Sequence, residues 1–257
     1  MLNFRNTNIA FVVLLVSLII GDLFFNVPWY GYALLLLLYT LALFYGSYFI
    51  HTQFYLKTYC RAETSEKLIA ITFDDGPHPQ NTPKILDVLK AHDAPVTFFC
   101  IGKEAAAHPQ LLKRIHAEGH IIGNHSYTHG FWFDLQSAKK IEDDLQQMHD
   151  LVHQKTGVYL KWFRPPYGVT NPALRKAVQQ MGYQVIGWSL RSMDTVTREE
   201  EELFQKLSGS LSPGAIVLLH DTQDVTVAVL SRFLKYVKER GYMVAPLDKL
   251  LNLQPYV

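Results

Sequence analysis

Asp74 and Asp75, adjacent in the segment TFDDGP, pose the first chemical question: like charges side by side repel unless a cation or a hydrogen-bond donor offsets the cost. One of the pair would then be a metal ligand and the other a base, whereas a helix-capping Asp-Gly-Pro turn would use the same residues without chemistry. A second motif, HSYTH, places His125 and His129 four residues apart, on one face if that segment is helical. Two histidines with the carboxylate of Asp75 make a ligand set that leaves coordination positions open, as a catalytic zinc site requires. The same donors suit Co²⁺, Ni²⁺, Mn²⁺ or Fe²⁺, so the expected cofactor is a divalent metal, Zn²⁺ first. RPPYG, residues Arg164 to Gly168, adds a permanent cation able to hold Asp74 and a Tyr167 backbone N–H able to face a developing oxyanion. LLHD, residues Leu218 to Asp221, ends an apolar run on His220, whose imidazolium can protonate a leaving amine.

Residues so far apart in the chain need a frame that gathers them. From residue 64 onward, short β-branched or aromatic runs alternate with amphipathic stretches, the pattern of an α/β fold with parallel strands. Strands are expected at 68–73, 96–100, 120–123, 159–163, 184–188, 215–219 and 242–245. Helices are expected at 82–92, 103–118, 137–155, 172–181, 199–208 and 225–240. The polar residues fall just past the strands: Asp74 and Asp75 after the first, Asn124 and His125 after the third, Arg164 after the fourth, and His220 and Asp221 after the sixth. Asp194 lies a few residues beyond the fifth. In a barrel of parallel strands these positions open on one rim, where active sites of such folds are assembled.

In this order the four motifs resemble those of the polysaccharide deacetylases of NodB-homology type, carbohydrate esterase family 4, over residues 66–250. The resemblance implies a distorted (β/α)7 barrel and a metal-dependent hydrolase that removes an N-linked acetyl group from an amino sugar. It makes Asp74 the catalytic base, Asp75, His125 and His129 the metal ligands, and Arg164 the residue that positions Asp74. It gives the Tyr167 N–H a share of the oxyanion, Leu218 a place in the pocket for the acyl methyl, and His220 the role of general acid, tuned by Asp194. One motif departs from the family pattern: where an Asp-Trp pair is often found, this chain reads WSLRSMDT, so Thr195 stands in place of the Trp.

The apolar residues are spread unevenly. Runs at 9–25 and 27–50 are each long enough for a membrane span, and Asp22, Asn26 and Pro28 read as a turn between them. The expected organisation is a transmembrane hairpin over 1–50, a linker over 51–65 and a deacetylase domain over 66–257, in a protein integral to the inner or plasma membrane. A cleaved signal peptide is the competing reading, but its basic region would be Arg5 alone, and no small-residue cleavage pattern precedes the second run. Arg5 before the hairpin and Lys57 and Arg61 after it put both ends, and the catalytic domain, on the cytoplasmic side by the positive-inside bias. With 24 Lys+Arg against 23 Asp+Glu, the net charge of +1 gives no electrostatic reason to expect nucleic acid. The expected partners are an N-acetylated glycan or a lipid-linked amino sugar, together with the bilayer. Two alternatives to a polymer deacetylase stand beside it: a deacylase of a lipid-linked sugar or glycolipid precursor, and a catalytically inactive carbohydrate-binding membrane protein.

Overall fold

Alternation along the segment Leu68–Asp74 sets up the two layers of the core. Ile69, Ile71 and Phe73 face one way and pack with the surrounding helices, while Ala70, Thr72 and Asp74 face the other, as the strand period of two requires. Ala70 meets Phe99, Ile121, Trp162, Ile186, Ile216 and Leu247 in a smaller apolar cluster inside the curl of the sheet. The structure, a computed structural model, describes residues 2–257.

Two long helices, α1 (Phe4–Phe25) and α2 (Trp29–Tyr48), precede a parallel sheet. Its strands are β1 (Thr58–Tyr59), β2 (Leu68–Asp74), β3 (Thr97–Cys100), β4 (Ile121–Asn124), β5 (Trp162–Phe163), β6 (Gln184–Ile186), β7 (Leu190–Arg191) and β8 (Ile216–His220). They are arranged β1-β6-β5-β4-β3-β2-β8-β7, and β9 (Met243–Val244) pairs with the start of β2. The sheet curls into a half-barrel left open between the outer strands β1 and β7, the form in which the expected (β/α)7 architecture is present. Helices α3 (Asn81–Ala91), α4 (Gly102–Ala107), α5 (Pro109–Ala117), α6 (Ala138–Thr156), α7 (Pro172–Gln180), α8 (Glu200–Gly209) and α9 (Asp224–Glu239) alternate with the strands. The short α10 (Leu247–Leu251) contributes Leu247 to the inner cluster.

Three local expectations need correction. The single helix expected over 103–118 is two, because Pro109 has no N–H for the ladder and its ring clashes with the preceding turn; it opens α5 at the first helical position instead. Residues 51–65 are more than a linker: β1 pairs with β6, and Phe54, Tyr55 and Leu56 are buried in the core. Asp22, read as part of a turn, lies within α1; the reversal falls at Asn26, which is left-handed at φ 46°, and at Pro28, which caps α2. Strands β1 and β7 escaped notice because two residues carry no period to detect.

Helices α1 and α2 are long and apolar enough to cross a membrane by length and composition. Their base is bonded to the barrel. The Phe4 N–H donates to the Phe54 carbonyl, the Thr170 N–H to the Ser47 carbonyl, and the Ser47 hydroxyl to the Thr170 carbonyl.

Candidate active site

The two carboxylates of TFDDGP converge by a break in the strand. Neighbouring side chains on a strand point to opposite faces. Asp75 escapes that rule through a left-handed backbone at φ 75°, and both carboxylates then face one imidazole: His125 Nε2 lies 3.8 Å from Asp74 Oδ2 and 3.4 Å from Asp75 Oδ1. The next residue must be glycine, since a Cβ at Gly76 would stand 2.0 Å from Asp221 Oδ2. Asp221 is fully buried at the end of LLHD and accepts from the Thr82 hydroxyl, so it ties the start of α3 to the end of β8. Burial pushes its carboxyl up to about 7, the neutral form being the one a dry site tolerates.

Arg164, completely buried, spends its donors on this geometry. Nη1 donates to Asp74 Oδ1 and to the Thr72 hydroxyl at 2.7 Å each, Nε to the Ile186 carbonyl at 3.2 Å, and Nη2 to the Gly187 carbonyl at 2.8 Å. The guanidinium also lies 4.2 Å from the centre of the Phe99 ring. A buried cation is tolerable only when paired and hydrogen-bonded in this way. One consequence is directional: with Oδ1 of Asp74 engaged, Oδ2 is the oxygen that faces His125.

Asp75, His125 and His129 bring one donor atom each to within 4.8 Å of one another. His125 Nδ1 sits 2.8 Å from the Arg164 carbonyl, which can only accept, so Nδ1 carries a proton and Nε2 is the nitrogen that faces Asp75. The His pair is not on a helix, as its spacing suggested. Ser126 and His129 are left-handed, at φ 66° and 45°, and the segment is a loop. Asp144, at a buried position of α6, holds it by accepting from the Tyr127 and Thr128 N–H groups and the Thr128 hydroxyl. Burial works against ionisation of Asp75, but the hydrogen bond from His125 and the charges of His125, His220 and His129 outweigh it and hold the carboxyl down at about 2. His129 is depressed by burial and by the neighbouring His125. An ionised carboxylate beside two imidazole nitrogens is a donor set that fits a divalent ion.

His220 stands across from Asp74 in the β2–β8 register, on the same rim. Its Nδ1 lies 2.7 Å from Asp194 Oδ1, and its backbone N–H donates to Asp194 Oδ2 at 2.7 Å. Ser192 and Thr226 donate their hydroxyls to the same carboxylate at 2.8 and 2.6 Å. Burial lowers the imidazole, yet the hydrogen bond and charge of Asp194, with the charges of Asp74 and Asp75, leave it raised above its ordinary value. Leu218, two residues back on β8 and opposite Thr72, is buried on the same inner face. Tyr167 is left-handed at φ 59°, its ring 4.9 Å from that of His129, and its N–H has no backbone partner among the described residues. Thr195, where an aromatic was expected, is exposed; an indole reaches the site from Trp188 instead, against which a Cβ on Gly168 would stand 2.4 Å away.

All nine residues singled out in the sequence thus lie on or beneath one rim. Asp144, Asp221, Ser192, Thr226 and Trp188 were not among them. Asp221 was marked only by its place after the sixth strand, and Asp144 by being an acid among Ile141, Leu145 and Met148 on the apolar face of an amphipathic helix; the other three carried no signal.

Comparison with known proteins identifies the family. The sequence profile described as polysaccharide deacetylase matches residues 61–186. A peptidoglycan-N-acetylglucosamine deacetylase of Bacillus cereus is 36% identical over 199 residues, 73% of this chain and 90% of that protein. One of Listeria monocytogenes is 35% identical over 190 residues, 74% of this chain; the match spans 40% of the length of that longer relative. Among solved structures, a family 4 carbohydrate esterase of Bacillus subtilis superposes with a TM-score of 0.70 at 35% identity, covering 76% of this chain and 85% of that one. By sequence, by fold and by the motifs that meet on its rim, this chain belongs to the polysaccharide deacetylase family.

Proposed function

We propose that this chain is a divalent-metal-dependent deacetylase that hydrolyses the N-acetyl group of an amino sugar in a glycan. The observation that carries the reading is the flanking of one three-ligand set by two differently supported proton carriers: Asp74 clamped by Arg164, and His220 clamped by Asp194. Asp75, His125 and His129 would hold the ion, Zn²⁺ first. When bound, the ion supplies a Lewis acid beside the substrate carbonyl and the attacking water. Asp74 takes the water's proton on Oδ2 as the oxygen attacks the acetyl carbon. The Tyr167 N–H donates to the oxyanion that develops, and Leu218 lines the space for the methyl group. The C–N bond breaks as His220, protonated at Nε2, gives its proton to the departing amine, leaving acetate and a free amino sugar. An inactive carbohydrate-binding barrel would be expected to lack one of these groups, and none is missing. Acetate release from N-acetylated chitooligosaccharides, abolished by chelation and restored by Zn²⁺, tests the assignment; release that survives chelation would sink the metal's role.

The hairpin favours a second substrate for the same chemistry. We read α1 and α2 as a transmembrane anchor, and the hydrogen bonds of Ser47 to Thr170, six residues beyond Arg164, support a catalytic rim held close to the bilayer. A lipid-linked amino sugar would meet such a rim directly. The weak charge bias puts the barrel in the cytoplasm, where a finished wall polymer is out of reach and a lipid-linked precursor is not. Reporter fusions at the C-terminus distinguish the two sides: an external reporter would favour the polymer.

A further inference from the structure

Outside the hairpin, the large apolar side chains left exposed gather on the loops that follow β4, β5 and β7. They are Phe131, Trp132 and Leu135, then Tyr167, then Met193 and Val196; among the described residues only Tyr159, Met243 and Val257 lie elsewhere. Phe131, Trp132 and Leu135 are 73%, 65% and 77% exposed, an amount of bare apolar surface that marks an interaction site. The loop that carries them is not loose. Phe133 between them is buried, the Phe133 N–H donates to the Gly130 carbonyl at 2.9 Å, and Asn171 Nδ2 donates to the Asp134 carbonyl at 2.6 Å.

Asn171 connects this loop to the hairpin. Its neighbour Thr170 donates its N–H to the Ser47 carbonyl at 3.0 Å and its hydroxyl to the Gly46 carbonyl at 3.3 Å. Those residues belong to the last turn of α2, which also carries the exposed rings of Tyr45 and Tyr48, with Phe49 just beyond. Aromatic rings concentrate on a spanning helix at the level of the headgroups. Residues 170–171 therefore sit at the depth where the anchor leaves the bilayer, and they bond the aromatic loop on their other side. Basic side chains follow the loop into α6: Lys140 is exposed, and Lys139 is exposed and shared with Asp143. Cations beside an inserted apolar patch suit anionic headgroups.

We propose that Phe131, Trp132 and Leu135 are an interfacial docking surface for the lipid bilayer, seating the barrel so that its catalytic rim opens against the membrane and takes substrates whose sugar projects from a lipid. The proposal rests on the reading of α1 and α2 as a membrane anchor, and its test separates the two. The full chain is reconstituted in phosphatidylethanolamine–phosphatidylglycerol vesicles whose acyl chains are brominated near the headgroup, and tryptophan quenching is compared between wild type and Trp132→Phe. Trp29, in the hairpin, reports insertion of the anchor in both. Greater quenching in wild type than in Trp132→Phe is the expected result. Equal quenching, with Trp29 still quenched, leaves the anchor in place and overturns the docking surface; no quenching in either protein, with release of the chain by alkaline carbonate, overturns the anchor and the proposal with it. A second measurement uses the Phe131→Ser, Trp132→Ser, Leu135→Ser triple variant. Acetate release from an N-acetylglucosaminyl lipid in vesicles should fall about tenfold or more through lost orientation, while release from soluble chitooligosaccharide holds. An equal fall on both substrates would make the loop a sugar platform and overturn the proposal.

Discussion

The Asp194 carboxylate holds His220 from two directions, accepting its backbone N–H on Oδ2 and its ring Nδ1–H on Oδ1, each at 2.7 Å. The first contact fixes where the residue sits and the second fixes which nitrogen is left for chemistry. Because Nδ1 carries one proton permanently, Nε2 is the atom that titrates.

That pair sets a pH dependence with a definite sign. The charge of Asp194 helps raise His220 above its ordinary value, so the acid form persists to higher pH and activity is lost only as pH rises through the raised value. Asp194→Asn removes the charge, and the alkaline limb of the rate profile should move to lower pH, with a fall in kcat of about a hundredfold at neutral pH. An unmoved alkaline limb in Asp194→Asn would show that His220 is not the acid it supports.

Arg164 tests the opposite wall of the site. Its removal strands the buried Asp74 carboxylate without its cation, and breaking a buried pair from one side costs about 3–5 kcal/mol. Arg164→Ala should therefore lower the denaturation midpoint as well as activity, and Arg164→Lys should recover only part of either, since an ammonium cannot span Asp74, Thr72, Ile186 and Gly187. A wild-type midpoint in the Ala variant would mean that the guanidinium is not the support it looks to be.

Asp144 bonds to none of the proposed metal ligands, yet it holds the loop between His125 and His129. Asp144→Ala should weaken Zn²⁺ binding by about 10–100-fold, the usual effect of losing a residue that orients a ligand. Titration calorimetry on the variant reads this directly; unchanged affinity would assign the loop's order to its other bonds, from the His129 N–H to Ser126 Oγ and from the Gly102 and Lys103 N–H groups to the Ser126 and Tyr127 carbonyls.

The rim was legible in the sequence because strand ends are marked twice, by the apolar run that stops and by the polar motif that follows, and TFDDGP, RPPYG and LLHD carry both marks. The conformation of HSYTH was not legible. Its histidine spacing matches a helix, and the loop it actually forms depends on Asp144, fifteen residues after His129 in sequence but hydrogen-bonded to it through Tyr127 and Thr128 only once α6 has docked. Likewise Gly76 looked like a turn residue, and what requires it is the approach of Asp221 from the far end of the chain. Strands of two residues, β1 and β7, are stabilised by neighbours on the sheet and leave no local pattern.

The central claim is that Asp74 is the base and Asp75 the ligand, two neighbouring carboxylates with separate tasks. It is tested most directly by measuring Zn²⁺ content and acetate release from N-acetylated chitooligosaccharide in the same preparation of Asp74→Asn. Near-stoichiometric metal with turnover reduced about a hundredfold or more is the expected result; turnover within a few-fold of wild type would contradict the assignment of Asp74 as the base.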